Sequence, residues 1–551
     1  MFAKILSSKT KTVGWSAFFV AIAGFLGYFL SIFRDNLLAN FLTNQQADVY
    51  WAAFRIPDFV YGILITGGVS AAFLPVFAGV FHKEETKAKA LFNTAFTFFL
   101  FSLIILSALM AIFAPLIVDI IVPGFDAIKK QQTVQLARIM FLSPIILGVS
   151  AVFASVLQCF DYFIAFAIAP IFYNLGIICG IVFLTPAIGI SGLAWGVVLG
   201  AVMHFLIQTI PLFKSNFLPH LSFNFKLPEL KNVLKLMGPR VIGTAANNIK
   251  LIVNTALAST LLAGSIKIFN LSNNLNNVPV NLIGVSLAVA VFPLLSRYQA
   301  LQENKKFTLS VSHIFSRIVF LIAPITVLIF LLRAQIVRLL YGVRLSGVSH
   351  FGWWETRLTA SSLGILALSL FALCLCPLLI RAFFALRDTK TPVKIALITI
   401  AFNIVLAYIL IKALHFANFF SHFTANILHL NDVSNLAVLA LPLALFASNV
   451  LQFCLLVFYL KRKKEFVQGR LLAKFFLGKI LFASLLMGIA CFFTLRLAVR
   501  LSGIETIKGL ALQVFLAGFV SLLVYTASVL KLGVKEPKNI LKVFYGKLKH
   551  S

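Results

Sequence analysis

The sequence predicts an all-α polytopic membrane protein of about fourteen transmembrane helices, built as two parallel six-helix lobes around a central cavity plus two C-terminal helices. Hydrophobic residues make up 61% of the 551 residues, and charged residues make up only 11%. A soluble domain carries roughly 25% charged residues, so this chain could not cover a water-facing surface of its size. Apolar runs long enough for a helix to cross a bilayer follow one another along the whole chain.

The individual spans follow from cutting these apolar runs at charged or turn-rich gaps. The predicted spans are 13–42, 47–81, 90–122, 134–159, 163–184, 188–212, 233–262, 266–296, 308–340, 358–385, 393–414, 436–460, 472–499 and 507–530. On this division residues 1–212 form the N-terminal lobe and residues 213–460 form the C-terminal lobe. Residues 461–551 then hold the two extra helices and a basic tail.

The placement of the positive charges predicts the orientation of the spans. The net charge is +31, and Lys and Arg cluster in alternate gaps, for example at 461–464 and in the tail from Lys531. Cationic loops stay on the cytoplasmic side of a membrane. We therefore expect both termini to be cytoplasmic. We expect no nucleic-acid partner, because these cations lie in short loops and not on the surface of one domain.

An internal repeat relates the second span to the eighth and the fourth to the tenth. Pro57 and Pro75 bracket glycines in the second span, as Pro279 and Pro293 do in the eighth. The turn after the fourth span also resembles the turn after the tenth. An offset of six helices keeps the membrane orientation, so the halves are predicted to be parallel repeats around a cleft, which is a transporter architecture.

Motifs for catalysis, metal binding or a cofactor are not evident in the sequence. It holds no phosphate-binding loop, no zinc-binding helix motif and no nucleophile elbow. The six cysteines lie in apolar runs, and we interpret even the close pair Cys374 and Cys376 as packing residues. His204, alone in an apolar span, is interpreted as a packing or interhelical bonding residue. We expect no catalytic residue, no metal and no cofactor, and hence a protein that is not an enzyme.

Ionisable residues of spans one and two form the first candidate site, because charges inside a bilayer usually face a cavity. Arg34 and Arg55 both lie ~12 Å below the predicted outer boundary. Arg34 and its neighbour Asp35 point in different directions on a helix and are expected to be poor mutual partners. Asp48 and Asp58 of span two are the alternative partners. Two interpretations stay open, a structural ion-pair network and the wall of an anion-binding cavity.

Spans seven and eight carry the second candidate group. Snorkelling explains Arg240 near the cytoplasmic end, whereas Lys250 lies nearer the membrane centre and is expected to face a cavity. Span eight opens with Lys267 and then carries a stripe of amides on one helical face. The stripe consists of Asn270, Asn274, Asn277 and Asn281. Two interpretations of the stripe stay open: hydrogen bonding between helices, and the wall of a water-filled cavity. The excess of cations predicts a substrate with phosphate or carboxylate groups.

Three stretches of the chain resemble the MurJ/MviN family of lipid II flippases, within the multidrug/oligosaccharidyl-lipid/polysaccharide flippase superfamily. The first comprises RDNLLA at 34–39, ADVYWAAFRIPD at 47–58 and SAAFLPVF at 70–77. The second comprises MGP at 237–239, AGS at 263–265, GVSLA at 284–288 and FPLLS at 292–296, and the third is FALRDTKTPVK at 384–394. With the matching helix count and repeat, the resemblance covers essentially the whole chain.

The resemblance implies a function and a set of site residues. It implies export of lipid II, the undecaprenyl-pyrophosphate-linked peptidoglycan precursor, across the bacterial inner membrane by alternating access of two lobes. The family's functional Arg-Asp pair falls on Arg34 and Asp35, and its acidic residue in the second helix falls on Asp48. Its groove for the lipid tail falls on spans 472–499 and 507–530. The implied partners are lipid II and membrane lipids, with cell-wall synthesis proteins as further candidates.

The chain departs from the family pattern at several basic and acidic positions. The departures are Tyr28, Tyr61, Gly62, Asn274 and Asn277. Either other cations of the chain compensate, or the head group of the cargo differs. Two rival functions therefore stay open, an exporter of another lipid-linked glycan or of drugs, and a membrane scaffold of the cell-wall machinery that transports nothing.

Overall fold

A computed structural model describes residues 13–62, 65, 69, 72–81, 83–215, 217–343, 350–416, 418–433, 435–466, 474–503, 506–534 and 536. Within these ranges the chain is helical and contains no β-strand, which confirms the predicted fold class. The chain divides into two compact units. The first unit is Met1–Lys267 with Arg344–His350, and the second is Ile268–Val343 with Phe351–Ser551. These bounds differ from the predicted lobes, and the division into lobes stays a prediction.

The helices of the first unit begin with the long first span. They are α1 (Val13–Phe41), α2 (Asn44–Tyr61), α3 (Leu74–Phe81), α4 (Glu85–Ile112), α5 (Ala114–Ile121), α6 (Ala127–Met140), α7 (Leu142–Cys159), α8 (Phe163–Cys179), the π-helical turn Gly180–Leu184, α9 (Thr185–Ile188), α10 (Ser191–Lys214) and α11 (Pro228–Ser259). Local sequence explains several starts. Thr43 and Gln46 form a capping box at the start of α2, and Asp126 caps α6.

The next helix, α12 (Ser265–Pro279), starts before the border of the second unit and lies mostly within that unit. The helices that follow are the π-helical turn Val280–Val285, α13 (Ser286–Ala300), α14 (Asn304–Tyr341), α15 (Trp353–Ala367), α16 (Leu370–Ala385), α17 (Lys390–His415), α18 (Phe419–Leu428), the 3₁₀ turn Leu436–Leu439, α19 (Ala440–Lys461), α20 (Lys474–Ser502) and α21 (Ile507–Lys531).

Eleven helices of the described residues are long and apolar enough to cross a membrane, or twelve if the bent pair α15 and α16 forms one span. The other two predicted spans are the segment 47–81, part of which lies outside the described residues, and α11. Helix α11 is less apolar because it carries Lys231, Lys235 and Lys250 among its charged residues. The chain is therefore a polytopic membrane protein, as the composition predicts.

Three details differ from the predicted spans. The predicted span 358–385 is bent by 47° between α15 and α16. The predicted span 90–122 breaks at Phe113, two residues before Pro115, which cannot donate a helical hydrogen bond. The predicted loop 415–435 contains helix α18, which Asn418 caps by accepting from the amide of Ser421. Local chemistry of proline and asparagine explains two of these three differences.

The repeat predicted between spans two and eight has a shared backbone feature. In both spans a π-helical stretch lies between the two prolines, at Val280–Val285 in span eight and at described residues from Gly62 to Phe73 in span two. The turns after spans four and ten also match. Asp161 and Arg387 have φ angles of 63° and 59°. In each turn the next amide donates to the carbonyl five residues back, a Schellman-type helix end.

Each unit packs its own apolar core, while many large apolar side chains stay exposed toward the bilayer. The core of the first unit is rich in phenylalanine, including Phe73, Phe77 and Phe153. The core of the second unit includes Phe307 and Phe383. Exposed side chains such as those on α20 and α21 fit a lipid environment, in which an apolar surface carries no penalty.

The π-helical turn after α8 approaches α10 so closely that only glycine fits between them. A Cβ atom on Gly180 would lie 2.3 Å from the Cα of Gly196, and a Cβ on Gly196 would lie 2.6 Å from the Cα of Gly180. Small residues allow membrane helices to pack backbone to backbone, and dispersion forces then hold them together. These glycines hold together the helices that carry part of the candidate site.

The variant Gly196→Val is expected to lower the stability of the protein by about 1–3 kcal/mol, because the added side chain forces the two helices apart. The thermal unfolding midpoint in detergent measures the effect. Gly518→Val is the matched control, since nothing lies within 4 Å of a Cβ at that position. Equal midpoints for the two variants would contradict the close packing.

An ion pair joins two loops on the predicted cytoplasmic side of the second unit. Lys463 Nζ lies 2.6 Å from Asp388 Oδ2, and the same carboxylate accepts from the amide and the hydroxyl of Thr391. Partial burial of Asp388 alone would raise its pKa. The hydrogen bonds from Lys463 and Thr391, with the lysine charge, outweigh the burial and hold the pKa of Asp388 below its ordinary value.

This lowered pKa predicts how stability depends on pH. The ion pair contributes its full stability above the unfolded-state pKa of about 3.9, and this contribution is lost as the pH falls through the lower folded-state pKa. Asp388→Asn is therefore expected to lower the thermal midpoint at pH 7, and the difference from the unmodified protein should shrink as the pH is lowered toward 3. Asp119→Asn is the control, because the Asp119 carboxylate is exposed. A pH-independent difference for Asp388→Asn would count against the ion pair.

Candidate functional site

Arg34 in α1 forms a buried polar network inside the first unit. Its guanidinium Nη2 lies 2.7 Å from Asp35 Oδ1, and its Nη1 donates to Asn174 Oδ1 of α8 at 3.0 Å. A weaker hydrogen bond reaches Ser31 Oγ at 3.3 Å. The side chains of Arg34 and Asp35 are 14% and 2% exposed. Arg34, predicted to lie inside a span, is therefore largely buried and paired with Asp35.

The expectation that Arg34 and Asp35 are poor mutual partners is wrong. Their Cβ atoms point in different directions, as adjacent helical positions must. The arginine side chain is nevertheless long enough to bend back, so that both Nε and Nη2 donate to Asp35 Oδ1. Side-chain reach, and not helical position, decides this pairing.

A cavity of about 250 Å³ lies inside the first unit against Arg34. Its polar lining comprises Arg34, Asp58, Tyr61, Ser143, Tyr173 and His204. Phenylalanine, proline, leucine and valine side chains complete the wall. His204 contacts Ser150 Oγ at 2.8 Å, which confirms its interpretation as an interhelical bonding residue and also places it at the cavity. The polar lining of the cavity therefore combines one guanidinium, one carboxylate, two phenols, one hydroxyl and one imidazole.

Arg55 and Lys250 occupy other positions in the same unit. The Nε of Arg55 donates to Thr255 Oγ1 of α11 at 3.1 Å. Lys250 is 7% exposed, and its carbonyl accepts from Asn254. The two predicted arginines at one depth therefore bind different helices, Arg34 binding α8 and Arg55 binding α11. The side chain of Arg240 lies outside the described residues.

Asp48 near the start of α2 caps the beginning of α12. Its Oδ2 accepts from the Gly264 amide at 2.7 Å, and its Oδ1 accepts from the Lys267 amide at 2.9 Å. The carboxylate is 4% exposed. The first turn of a helix presents unpaired amides and a positive dipole end, so a buried carboxylate is stabilised there. Asp48 was one of two alternative partners expected for the charges of span one, and in the structure its carboxylate accepts from backbone amides.

The ammonium of Lys267 completes this junction. We call the junction the outer latch, after the side on which the predicted orientation places it: Asn44, Asp48, Gly264, Lys267 and His350. Lys267 Nζ donates to Asn44 Oδ1 at 3.1 Å and to the His350 carbonyl at 3.0 Å. The amide of His350 in turn donates to the carbonyl of Asn40, at the end of α1. The Lys267 side chain is fully buried. In this arrangement it serves the latch and does not face open solvent.

The asparagine stripe lies in the second unit on α12 and on the π-helical turn that follows it, and its exposure rises along the chain. Asn270 is 1% exposed, Asn274 and Asn277 are partly buried, and Asn281 is exposed. A gradient of this kind fits a face that is packed at the start of the helix and open further along.

An apolar groove of about 480 Å³ lies in the second unit. It is lined by Val327, Phe330 and Leu331 of α14, by Leu368, and by Leu481, Ser484, Leu485, Gly488, Ile489, Phe492 and Phe493 of α20. The family resemblance assigns such a groove to the last two helices. Here α14 supplies one wall together with α20, and among the described residues none of the lining comes from α21. Helix α21 packs on α20 and α14 through Ala517 and Tyr525 instead.

Sequence reasoning missed the partners of the charged residues. Asn174, Thr255, Asn44 and His350 were not predicted to belong to the site. A polar residue in an apolar span, such as Asn174, is a signal that could have been used. His350 contributes only backbone atoms, which no side-chain pattern reveals.

Comparison with known proteins identifies relatives of the chain. A family model described as "Lipid II flippase MurJ" matches residues 38–502. A protein of Bdellovibrio bacteriovorus named probable lipid II flippase MurJ is 29% identical over 415 residues, covering 74% of this chain and 78% of the relative. The lipid II flippase MurJ of Burkholderia cenocepacia is 27% identical, covering 69% of this chain and 75% of the relative.

Solved structures share the fold. A structure of lipid II flippase MurJ in an inward closed conformation matches with a TM-score of 0.69 at 21% identity, covering 93% of this chain and 99% of that one. An inward-facing multidrug transporter of the MATE family matches with a TM-score of 0.61 at 14% identity, covering 79% of this chain and 94% of that one. At these identities the likeness shows a common architecture.

Proposed function

The chain belongs to the lipid II flippase MurJ family, and from this membership we propose that it moves lipid II from the cytoplasmic to the outer leaflet of the bacterial inner membrane for cell-wall synthesis. It is then a transporter and not an enzyme. We propose alternating access as the mechanism and a cytoplasmic location for both termini. The proposed orientation rests on the concentration of Lys and Arg in alternate gaps along the sequence.

The observation that carries the proposal is a buried arginine at the wall of a membrane cavity. Arg34 lines the cavity while Asp35 and Asn174 hold its guanidinium in place. Of the five N–H donors of an arginine, these partners and Ser31 take most. A pyrophosphate group must therefore compete with Asp35 for Arg34. The proposed step is an exchange in which the ion pair opens as the phosphate binds and re-forms as it leaves.

The outer latch has the properties of a gate in this proposal. Asp48 and Lys267 connect the start of α2 to the start of α12 through hydrogen bonds of 2.7 to 3.1 Å. On the proposed orientation these helix starts lie at the outer side. The amides of Gly264 and Lys267 would have to leave the carboxylate of Asp48 for this side to open. Arg55 and Asp58, which interact through their charges, are proposed to support α2 during that movement.

The apolar groove supports a lipid-linked cargo. A wall of leucine and phenylalanine residues from α14 and α20 offers no polar partner to a sugar or a soluble drug. It fits a long hydrocarbon chain, whose burial is favourable by about 25 cal/mol per Å² relative to water. A charged cavity in one unit and an apolar groove in the other match the two chemical parts of lipid II.

The experiment that tests the proposal combines growth and transport. The gene for this chain is expressed in a bacterial strain depleted of its own lipid II flippase, and movement of lipid II is measured in proteoliposomes. Restored growth together with movement of lipid II supports the proposal. Movement of another lipid-linked glycan in preference to lipid II would favour the second candidate, which the departures Tyr28, Tyr61 and Asn274 keep open. Restored growth without movement of any lipid would favour a scaffold.

A further inference from the structure

The apolar groove ends at two arginines, one on each of its main walls. The lining residues of α20 run from Leu481 to Phe493, which is about 18 Å along a helix. Arg496 follows one turn later on α20, and Arg333 follows the last lining residue of α14, Leu331. On the proposed orientation this end of the groove lies toward the outer leaflet.

The two arginines lie at the same level of the helix pair. Leu332, beside Arg333, belongs to one apolar cluster with Cys491 and Leu495 of α20. Arg496 is the next residue after Leu495. The packing of α14 on α20 therefore brings both basic side chains to the same end of the groove.

Both guanidiniums stack on rings that line the groove. The Cζ of Arg333 lies 5.2 Å from the centroid of Phe330, and the Cζ of Arg496 lies 4.5 Å from the centroid of Phe492. Cation–π contacts of this kind hold a guanidinium plane in position without using its N–H donors. Arg333 uses one donor for the carbonyl of Phe330, and its stem packs against Gly364. Within the described part of the chain neither guanidinium forms an ion pair.

We propose that Arg333 and Arg496 bind the phosphate of a polyprenyl phosphate lipid whose chain lies in the groove. Guanidinium groups recognise phosphate oxygens through paired, charge-assisted hydrogen bonds. Two cations match the charge of a phosphate monoester or a pyrophosphate, whereas a phospholipid diester offers a single negative charge. This site rests on the proposed function and adds to it a second position at which the lipid phosphate binds. The second position lies at the outer leaflet and is separate from Arg34 in the other unit.

The test uses the full-length protein in nanodiscs of zwitterionic lipid, with undecaprenyl phosphate as the probe. Binding is measured by native mass spectrometry and by competition with an anionic diester phospholipid. The double variant Arg333→Gln with Arg496→Gln is expected to bind the probe roughly tenfold or more weakly. Arg462→Gln is the matched control, since Arg462 also stacks on a phenylalanine, Phe458, at 4.1 Å, but at a site away from the groove.

The outcomes separate this inference from the proposed function. Weakened binding in the double variant, unchanged binding in the control and weak competition by the diester phospholipid support the site. Equal binding by all three proteins, or full displacement by the diester phospholipid, overturns it. Lipid II transport is measured on the unmodified protein in parallel. Failure of that transport counts against the proposed function, whereas the binding result decides the arginine site by itself.

Discussion

Asp48→Asn is expected to abolish lipid II transport while the protein still inserts into the membrane. The carboxylate of Asp48 accepts from the amides of Gly264 and Lys267 at 2.7 and 2.9 Å. An asparagine keeps one acceptor oxygen but points an N–H group at one of these donors. The ammonium of Lys267 keeps its own acceptors, Asn44 Oδ1 and the His350 carbonyl. A buried donor left without its acceptor costs about 1–3 kcal/mol.

This free energy shifts the equilibrium away from the state in which the outer latch is closed. A loss of about 1–3 kcal/mol changes a two-state equilibrium roughly 5- to 150-fold. A transporter that rarely closes its outer side cannot complete an alternating cycle. The rate of lipid II movement in proteoliposomes measures this effect. Accessibility of a cysteine placed at the buried Ala47, beside Asp48, to a membrane-impermeant reagent reports the opening itself.

Asp126→Asn is the matched control for the latch variant. Asp126 also caps a helix, accepting from the Lys129 amide at 2.9 Å, but its carboxylate is exposed. Water replaces a lost exposed cap, so transport is expected to stay near the unmodified level. If Asp48→Asn transports as well as Asp126→Asn does, the latch has no role in the cycle.

Arg34→Ala is expected to reduce lipid II transport at least roughly a hundredfold, because a charge-assisted hydrogen bond to phosphate contributes about 1.5–3 kcal/mol and the substitution removes more than one. The substitution also leaves the buried Asp35 without its ion-pair partner. Loss of transport by this variant alone could therefore reflect misfolding. Thermal stability has to be measured beside transport.

A neutral double variant separates binding from folding. Arg34→Gln combined with Asp35→Asn replaces the ion pair by two amides of similar size, so no buried charge stays unpaired. We expect this variant to fold with a thermal midpoint near that of the unmodified protein and still to transport lipid II poorly. Arg138→Ala is the control on another helix, since Arg138 only donates to the Ala111 carbonyl at an exposed position. Full transport by the neutral double variant would remove Arg34 from the mechanism.

The positions of the charged residues could be read from the sequence, but their partners could not. Charges in an apolar run stand out because the bilayer penalises them, and Arg34, Asp48 and Lys267 are recognised on this ground. The atoms that these charged side chains contact belong to segments far away along the chain. Asn174 is 140 residues from Arg34, and His350 is 83 residues from Lys267. No local sequence pattern predicts a contact between residues so far apart along the chain.

Two differences between the expected and the observed contacts share one cause. Arg34 and Asp35 were expected to be poor mutual partners, and Asp48 was offered as one of two alternative partners. Both expectations used the direction of the Cβ atoms and the signs of the charges. In the structure, the long side chain of Arg34 bends back to Asp35. Asp48 accepts from amides at the start of a helix, which have no partner within that helix. The order of side chains along the sequence does not show which backbone amides will donate to a carboxylate.

The sequence by itself determined that this protein is a helical membrane protein, where its spans fall and which family it belongs to. These properties depend on local hydrophobicity, on charge placement and on motifs, all of which are read along the chain. Only the tertiary structure decided that Asp48 and Lys267 form a latch, that Arg34 lines a cavity while paired to Asp35, and that α14 shares the groove with α20. These features arise from packing between distant helices, where side-chain length and backbone hydrogen bonds determine which groups meet.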